Sequence, residues 1–201
     1  EWTFGPDRVL VATATQTVYV RRCDVTSSNY VARRLENLRP GLKPIQKHAQ
    51  MISILAGCTL RTNLLAALAS EQVHAGRYVL MVSDRVKQLE SLRKRLQHIG
   101  VAQLQTLTGK TKVRDRDIAA DTRVVLATIN LVKEGWDGVP HYDTLLVCSP
   151  VSSEVVLRQL HGRIMRPHPG KGDPLVLDVC DTADDGGSTK RRRMYARVTR
   201  D

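Results

Sequence analysis

Tyr78-Val79-Leu80-Met81-Val82-Ser83-Asp84 is the stretch on which the fold turns, and it is followed by Val86, Leu89, Leu92, Leu96 and Ile99 at helical spacing up to Gly100. Its first five residues, Tyr78–Val82, are a short apolar run that suits a strand buried on both faces of a parallel sheet. Ser83-Asp84 then serve as a helix cap and Gly100 as its stop. The stretch therefore predicts one strand and the helix that carries the chain back across the sheet, because parallel neighbours need a crossover rather than a tight turn.

The same alternation extends downstream. Ala102–Thr108 reads as a polar loop, with a short helix around Lys112–Ala120 and a strand over Arg123–Thr128. A helix or turn follows at Ile129–Glu134, then the strand Thr144–Cys148 ending at Pro150, a helix over Ser153–Arg166 and a last strand at Pro174–Val179. Upstream, Leu60, Leu64, Leu65 and Leu68 place a helix over 59–75, with Gly76 just past its end. Thr26–Pro44 is broken by prolines and Gly41 and reads as a loop with a helical turn near Tyr30–Leu38; Val9-Leu10-Val11 and Thr17–Val20 read as one or two strands. The expected architecture is α/β: a doubly wound parallel sheet flanked by helices, with ligands at the carboxyl ends of the strands and an N-terminal lead-in segment. The expected division is 1–50 as lead-in strands and linker and 51–201 as the α/β domain with a basic tail, Lys190-Arg191-Arg192-Arg193-Met194-Tyr195.

Composition narrows the partners. The 201 residues are 42% hydrophobic, enough for a real core, and carry 31 Lys and Arg against 20 Asp and Glu, a formal charge of +11. This excess, with a pI near 9.9, points to a polyanion, nucleic acid first. Cys23, Cys58, Cys148 and Cys180 stand singly, which predicts free thiols in a reducing intracellular compartment and no zinc site. No apolar stretch approaches the ~20 residues that span a bilayer, and the N-terminus lacks the pattern of a signal peptide. A chain beginning with Glu1 reads as a piece of a longer protein.

Two motifs bear on chemistry. Gln159-Leu160-His161-Gly162-Arg163-Ile164-Met165-Arg166 sets two arginines three residues apart, neighbours on one face if the stretch is helical. Two guanidinium groups aimed together make a polyphosphate clamp; an ordinary basic helix face is the alternative. Leu107-Thr108-Gly109-Lys110-Thr111 imitates the end of a P-loop, but the pattern GxxxxGK[ST] requires glycine where Leu104 stands. No Asp-Glu pair closes a strand to hold magnesium, Val82-Ser83-Asp84 being a weak candidate. The chain thus reads as one that supplies arginines to a nucleotide cradled elsewhere, since such fingers act in trans.

Gln159-x-x-Gly162-Arg163-x-x-Arg166 resembles motif VI of superfamily 2 helicases. Val125-Leu126-Ala127-Thr128, Glu134-Gly135-Trp136-Asp137 and Leu145–Pro150 are similar to the motif V region, Val79–Arg85 to motif IV, and Thr108-Gly109 to the family's backbone-binding turn. Together they follow the family's order across 78–181. Arg61-Thr62-Asn63 and Arg193-Met194-Tyr195 resemble further landmarks, and Phe4-Gly5-Pro6 one just past a first motor domain. The chain is identified as the second, C-terminal RecA-like domain of a superfamily 2 DNA helicase or translocase, of the kind found in phages and large DNA viruses.

The resemblance implies roles. Arg163 and Arg166 would reach the γ-phosphate of ATP held with Mg2+ mainly by the first motor domain, with Arg166 as the finger, and Gln159 would bond near the phosphates or the attacking water. Asp137 on the Gly135 turn would take a ribose hydroxyl, a turn cap being the alternative, and Glu134 would tie that turn to the arginines. Thr108, Gly109 and Thr128 would bind the backbone of one DNA strand, RNA not excluded, while Arg85, Lys110 and Lys112 would add salt-dependent attraction. Trp136 departs from the family's small aliphatic residue and either stacks on adenine or packs. The competing readings are a stand-alone basic nucleic-acid-binding α/β module without motor activity, and an enzyme binding nucleotide through Gly109-Lys110-Thr111.

Overall fold

The computed structural model describes residues 2–4, 8–13, 16–25, 31, 33–34, 37–38, 40–117, 122–134, 136, 141–151 and 153–181. The basic tail, Gly135, Asp137, Gly5-Pro6 and 118–120 of the expected short helix lie outside them.

Among these residues the elements run β1 (Trp2–Phe4), β2 (Arg8–Thr13), β3 (Gln16–Val25), α1 (Pro44–Ala56), α2 (Thr59–His74), β4 (Val79–Ser83), α3 (Val86–His98), β5 (Leu104–Leu107), β6 (Val124–Thr128), α4 (Ile129–Lys133), β7 (Thr144–Val147), α5 (Glu154–Ile164) and β8 (Leu175–Asp181). Six strands lie parallel in the order β5-β6-β4-β7-β8-β3, with β1 and β2 antiparallel along the outer edge of β3. The lead-in segment supplies the sixth of these, since β3 pairs with β8 from Tyr19 opposite Leu175 to Val25 opposite Asp181.

Helices cover both faces, which is why the strands read as unbroken apolar runs. Val79 and Met81 of β4 face α2 and α3 through Leu65, Leu68, Leu89, Leu92 and Leu96. Leu80 and Val82 face the other way, toward Ile129, Val132, Leu157, Leu160 and Ile164 of α4 and α5. Each fully buried leucine contributes about 1.5–3 kcal/mol.

Four expectations are corrected. Ala102–Thr108 is not a loop throughout: Leu104–Leu107 form edge strand β5 beside β6, and its polar residues are tolerated because only one edge is paired and the strand is half-exposed. Pro44 starts a helix rather than ending a loop, because proline at the first helical position loses no hydrogen bond there. Ser83-Asp84 do not cap α3, whose N-cap is Arg85; the Ser83 hydroxyl accepts the Arg85 N–H at 2.9 Å one residue earlier. Between Lys112 and Asp117 the expected short helix is a single 3₁₀ turn, Val113–Asp115.

Candidate nucleotide and nucleic-acid interface

At the carboxyl end of the sheet, register sets Leu107 opposite Ala127 and Thr128 opposite Ser83. Thr108, Thr128 and Ser83 thus end three adjacent strands, spaced about 4.8 Å apart across the sheet. Thr108 opens a tight turn: its N–H donates to Thr111 Oγ1 at 2.9 Å, its carbonyl accepts the Thr111 N–H at 2.9 Å, and its hydroxyl accepts the Lys110 N–H at 3.3 Å. That turn leads into a 3₁₀ turn rather than an α-helix, unlike a phosphate cradle feeding a helix. Gly109, Lys110 and Lys112 are exposed on it.

Beneath this edge lies a buried polar floor that the sequence does not announce. The Ser83 hydroxyl meets Gln88 Oε1 at 2.7 Å and Ser149 Oγ at 2.9 Å, and Gln88 Nε2 donates to the Cys148 carbonyl at 3.4 Å. The same carbonyl accepts from Arg61, whose Nε lies 3.1 Å from both carboxylate oxygens of Asp181. Arg61, Ser83, Gln88, Ser149 and Asp181 are all buried, so the ends of β4, β7 and β8 are tied by polar side chains. Burial pushes the Cys148 thiol up to about 12, which leaves it inert. Arg85 is drawn aside, donating to Ala49 O at 3.0 Å and Ser53 Oγ at 3.3 Å of α1.

The arginine motif lies at the opposite end. Because β7 and β8 are parallel neighbours, α5 returns the chain from the carboxyl to the amino edge over roughly 16 Å. Ser153 caps its start, accepting the Val156 N–H at 3.4 Å, and Leu157, Leu160 and Ile164 bury its inner stripe. Gln159 is exposed and Arg163 is half-buried in the last turn. The helix ends at Ile164 with Met165 as its C-cap, so Arg166 lies just past the last helical turn rather than inside the helix as expected. Arg166 instead begins the turn toward β8.

Around Arg166 the groups are mostly basic. Lys171 Nζ donates to the Arg166 carbonyl at 2.7 Å, and burial, with Arg166 repulsion against the attraction of Asp143, holds its ammonium down to about 8. Asp143 pairs with Arg77 at 3.3 Å. His141 stacks on Tyr142 at 4.8 Å between centroids, and burial, then His168, Arg123 and Lys171, lower its pKa. Within the motif itself His161 is 4% exposed and burial holds it at about 4, a neutral core residue rather than a catalytic base.

No family model matches the chain. A 117-residue segment is 32% identical to "Probable helicase D10" of Escherichia phage T5, covering 56% of this chain and 26% of that protein. T4 UvsW superposes with a TM-score of 0.67 at 16% identity over 88% of this chain and 38% of its own. The helicase MrfA, solved bound to DNA and AMPPNP, gives 0.58 at 14% identity over 90% and 22%. The C-terminal domain of the DEAD-box protein Dbp5 gives 0.51 at 16% identity over 67% and 76%. The fold shared with these structures is a RecA-like parallel α/β sheet flanked by helices.

In this RecA-like domain the expected site residues fall into two groups. Thr108, Gly109, Lys110, Lys112 and Thr128 gather at the carboxyl edge; Gln159, Arg163 and Arg166 follow α5 away from it. Glu134 is exposed at the end of α4. Trp136 packs against the core beside α4 and α5. Among the described residues no cluster of His, Cys, Asp or Glu is placed to hold a metal ion, and no single helix is long and apolar enough to cross a membrane.

Proposed function

We propose that this RecA-like domain is the second motor domain of an ATP-dependent helicase or translocase, supplying arginines to a nucleotide and a row of donors to a nucleic-acid backbone. The observation that carries the reading is Gly162. It lies exposed inside α5, one residue before Arg163, and a Cβ there would meet nothing within 4 Å. Glycine inside a helix costs roughly 1 kcal/mol against alanine, and neither packing nor backbone angle in this chain calls for it. Bare backbone beside two arginines suits the close approach of another body, here the first motor domain and its ATP.

The chain spans 26% of the length of the curated relative it matches, so the P-loop and the carboxylate that holds Mg2+ are assigned to the rest of such a protein. Arg166, as the finger, stabilises charge on the γ-phosphoryl as water attacks and ADP leaves, Arg163 binds the same phosphates, and Gln159 orients the water or a phosphate oxygen. Asp137 takes a ribose hydroxyl, with Gly135 and Glu134 beside it in the sequence and Glu134 tying this segment to the arginines. Thr108, Gly109 and Thr128 position one DNA strand, with Lys110, Lys112 and the remaining donors of Arg85 adding charge.

The test joins this chain to a complete first RecA-like domain and introduces Arg166→Ala. DNA-stimulated ATP hydrolysis falls by about 10³-fold or more. Unchanged turnover would favour the stand-alone binding module, and ATP hydrolysis by the 201 residues alone would overturn the assignment of the P-loop and Mg2+ carboxylate to another domain.

A further inference from the structure

The segment that follows α5 is built as a small clasp around Arg166. The last carbonyls of a helix have no partner within it, and a cation there also suits the helix dipole. Pro167 and Pro169 restrict the chain, Gly170 turns it back at φ 75°, and the Lys171 N–H closes the turn on the His168 carbonyl at 3.2 Å. The Lys171 side chain then doubles back onto the Arg166 carbonyl at 2.7 Å. A half-buried lysine in so basic a neighbourhood is not an ordinary solvated one.

We propose that Lys171 is a positioning residue that fixes the main chain of Arg166, and so aims the finger. The inference rests on the motor reading above. Its consequence is a pH dependence that a merely structural lysine would not give. Asp143, ahead of β7, and Arg166 act directly on Lys171; Lys171 in turn acts on His141, which His168 and Arg123 also face, and Arg77 pairs with Asp143. Asp143 is an attractive charge for Lys171, and Arg77 shares it. With the proton lost near pH 8, the amine still donates to the carbonyl, but a hydrogen bond without the charge is roughly half as strong. Stability runs the other way. Lys171 releases its proton at about 8 in the folded chain against 10.5 unfolded, so the unfolded state holds more protons in between and stability rises with pH across that window. Weaker aim with a more stable fold separates the two roles.

The experiment measures DNA-stimulated ATP hydrolysis from pH 6.5 to 9.5 by this chain joined to a first RecA-like domain, as wild type, Lys171→Arg, Lys171→Met and Arg166→Ala. Wild-type kcat falls as pH rises through about 8. Lys171→Arg, charged throughout, loses that fall. Lys171→Met loses about 10- to 100-fold in kcat and kcat/KM together, the mark of misaim at the transition state, while a thermal melt reports it folded. If Arg166→Ala abolishes turnover and Lys171→Arg keeps the wild-type fall, or Lys171→Met keeps wild-type kcat, the positioning role is overturned and the finger stands. If Arg166→Ala turns over normally, the motor reading fails first and takes this inference with it.

Discussion

Replacing Arg61 by methionine should be among the most damaging single changes in the domain. Arg61 is 2% exposed, its Nε sits 3.1 Å from both oxygens of Asp181, and Asp181 is itself 2% exposed. Methionine keeps most of the length and removes every donor. The Cys148 carbonyl is not orphaned, because Gln88 Nε2 still donates to it at 3.4 Å, so the charge stranded on Asp181 dominates the cost. Breaking a buried pair on one side costs about 3–5 kcal/mol. Against a typical total stability of about 5–15 kcal/mol this is a large share. With an m-value of about 2 kcal/mol per molar urea, the midpoint should fall by about 2 M. The double variant Arg61→Met, Asp181→Leu should recover most of that loss, since an apolar pair of similar volume often matches a buried ion pair. A single-variant cost under about 1 kcal/mol, or a double variant no better than the single one, would refute the reasoning.

His161 and the basic turn give sharper readouts on the two ends of the sheet. His161 is held at about 4 against 6.5 unfolded, so the unfolded chain binds the proton first and stability is lost as pH falls from 6.5 through 4. Urea titrations at pH 7 and pH 4 should therefore differ by about 3 kcal/mol more for wild type than for His161→Gln; equal pH dependence in the two proteins would place the imidazole in water. Lys110→Ala and Lys112→Ala should each reduce the salt slope of oligonucleotide binding by about 1, read by fluorescence anisotropy over a salt series. Thr108→Val should weaken binding without changing that slope, because a neutral donor releases no counterion.

Strands buried on both faces were legible because their chemistry admits little else: Val79–Ser83, Val124–Thr128 and Leu175–Asp181 are apolar enough that only a covered parallel sheet accommodates them. β5 was not, since an edge strand has water on one side and Gln105 and Thr106 look like loop. α1 was hidden by Pro44, a breaker in mid-helix and a good first residue. The arginine motif was legible as residues but not as geometry. Spacing alone puts Arg163 and Arg166 on one helical face, whereas the helix stops at Ile164, ahead of Pro167. Arg61, Gln88 and Ser149 escaped as a set because a polar network is defined by who meets across the fold, and Arg61 and Asp181 are 120 positions apart.

The separation of the two ends constrains how such a domain works. Leu157, Leu160 and Ile164 of α5 are at most 1% exposed and pack on strands whose residues are as deeply buried, so sliding α5 along the sheet would open cavities throughout its length. Each large side chain pulled from such packing costs a few kcal/mol, more than thermal fluctuation supplies. Thr128, ending β6 at the carboxyl edge, and Arg163, in the last turn of the roughly 16 Å long α5, therefore move as one body. The parts free to respond separately are those outside the packed core: the Thr108–Thr111 turn at one end and the Pro167–Lys171 clasp at the other. A contact that shifts the whole domain at its arginine end must shift its carboxyl edge by the same rigid rotation. Hydrogen exchange should accordingly show α5 and β7 opening only with the global transition and these two turns opening well below it; exchange of α5 ahead of β7 would mean that the ends are uncoupled.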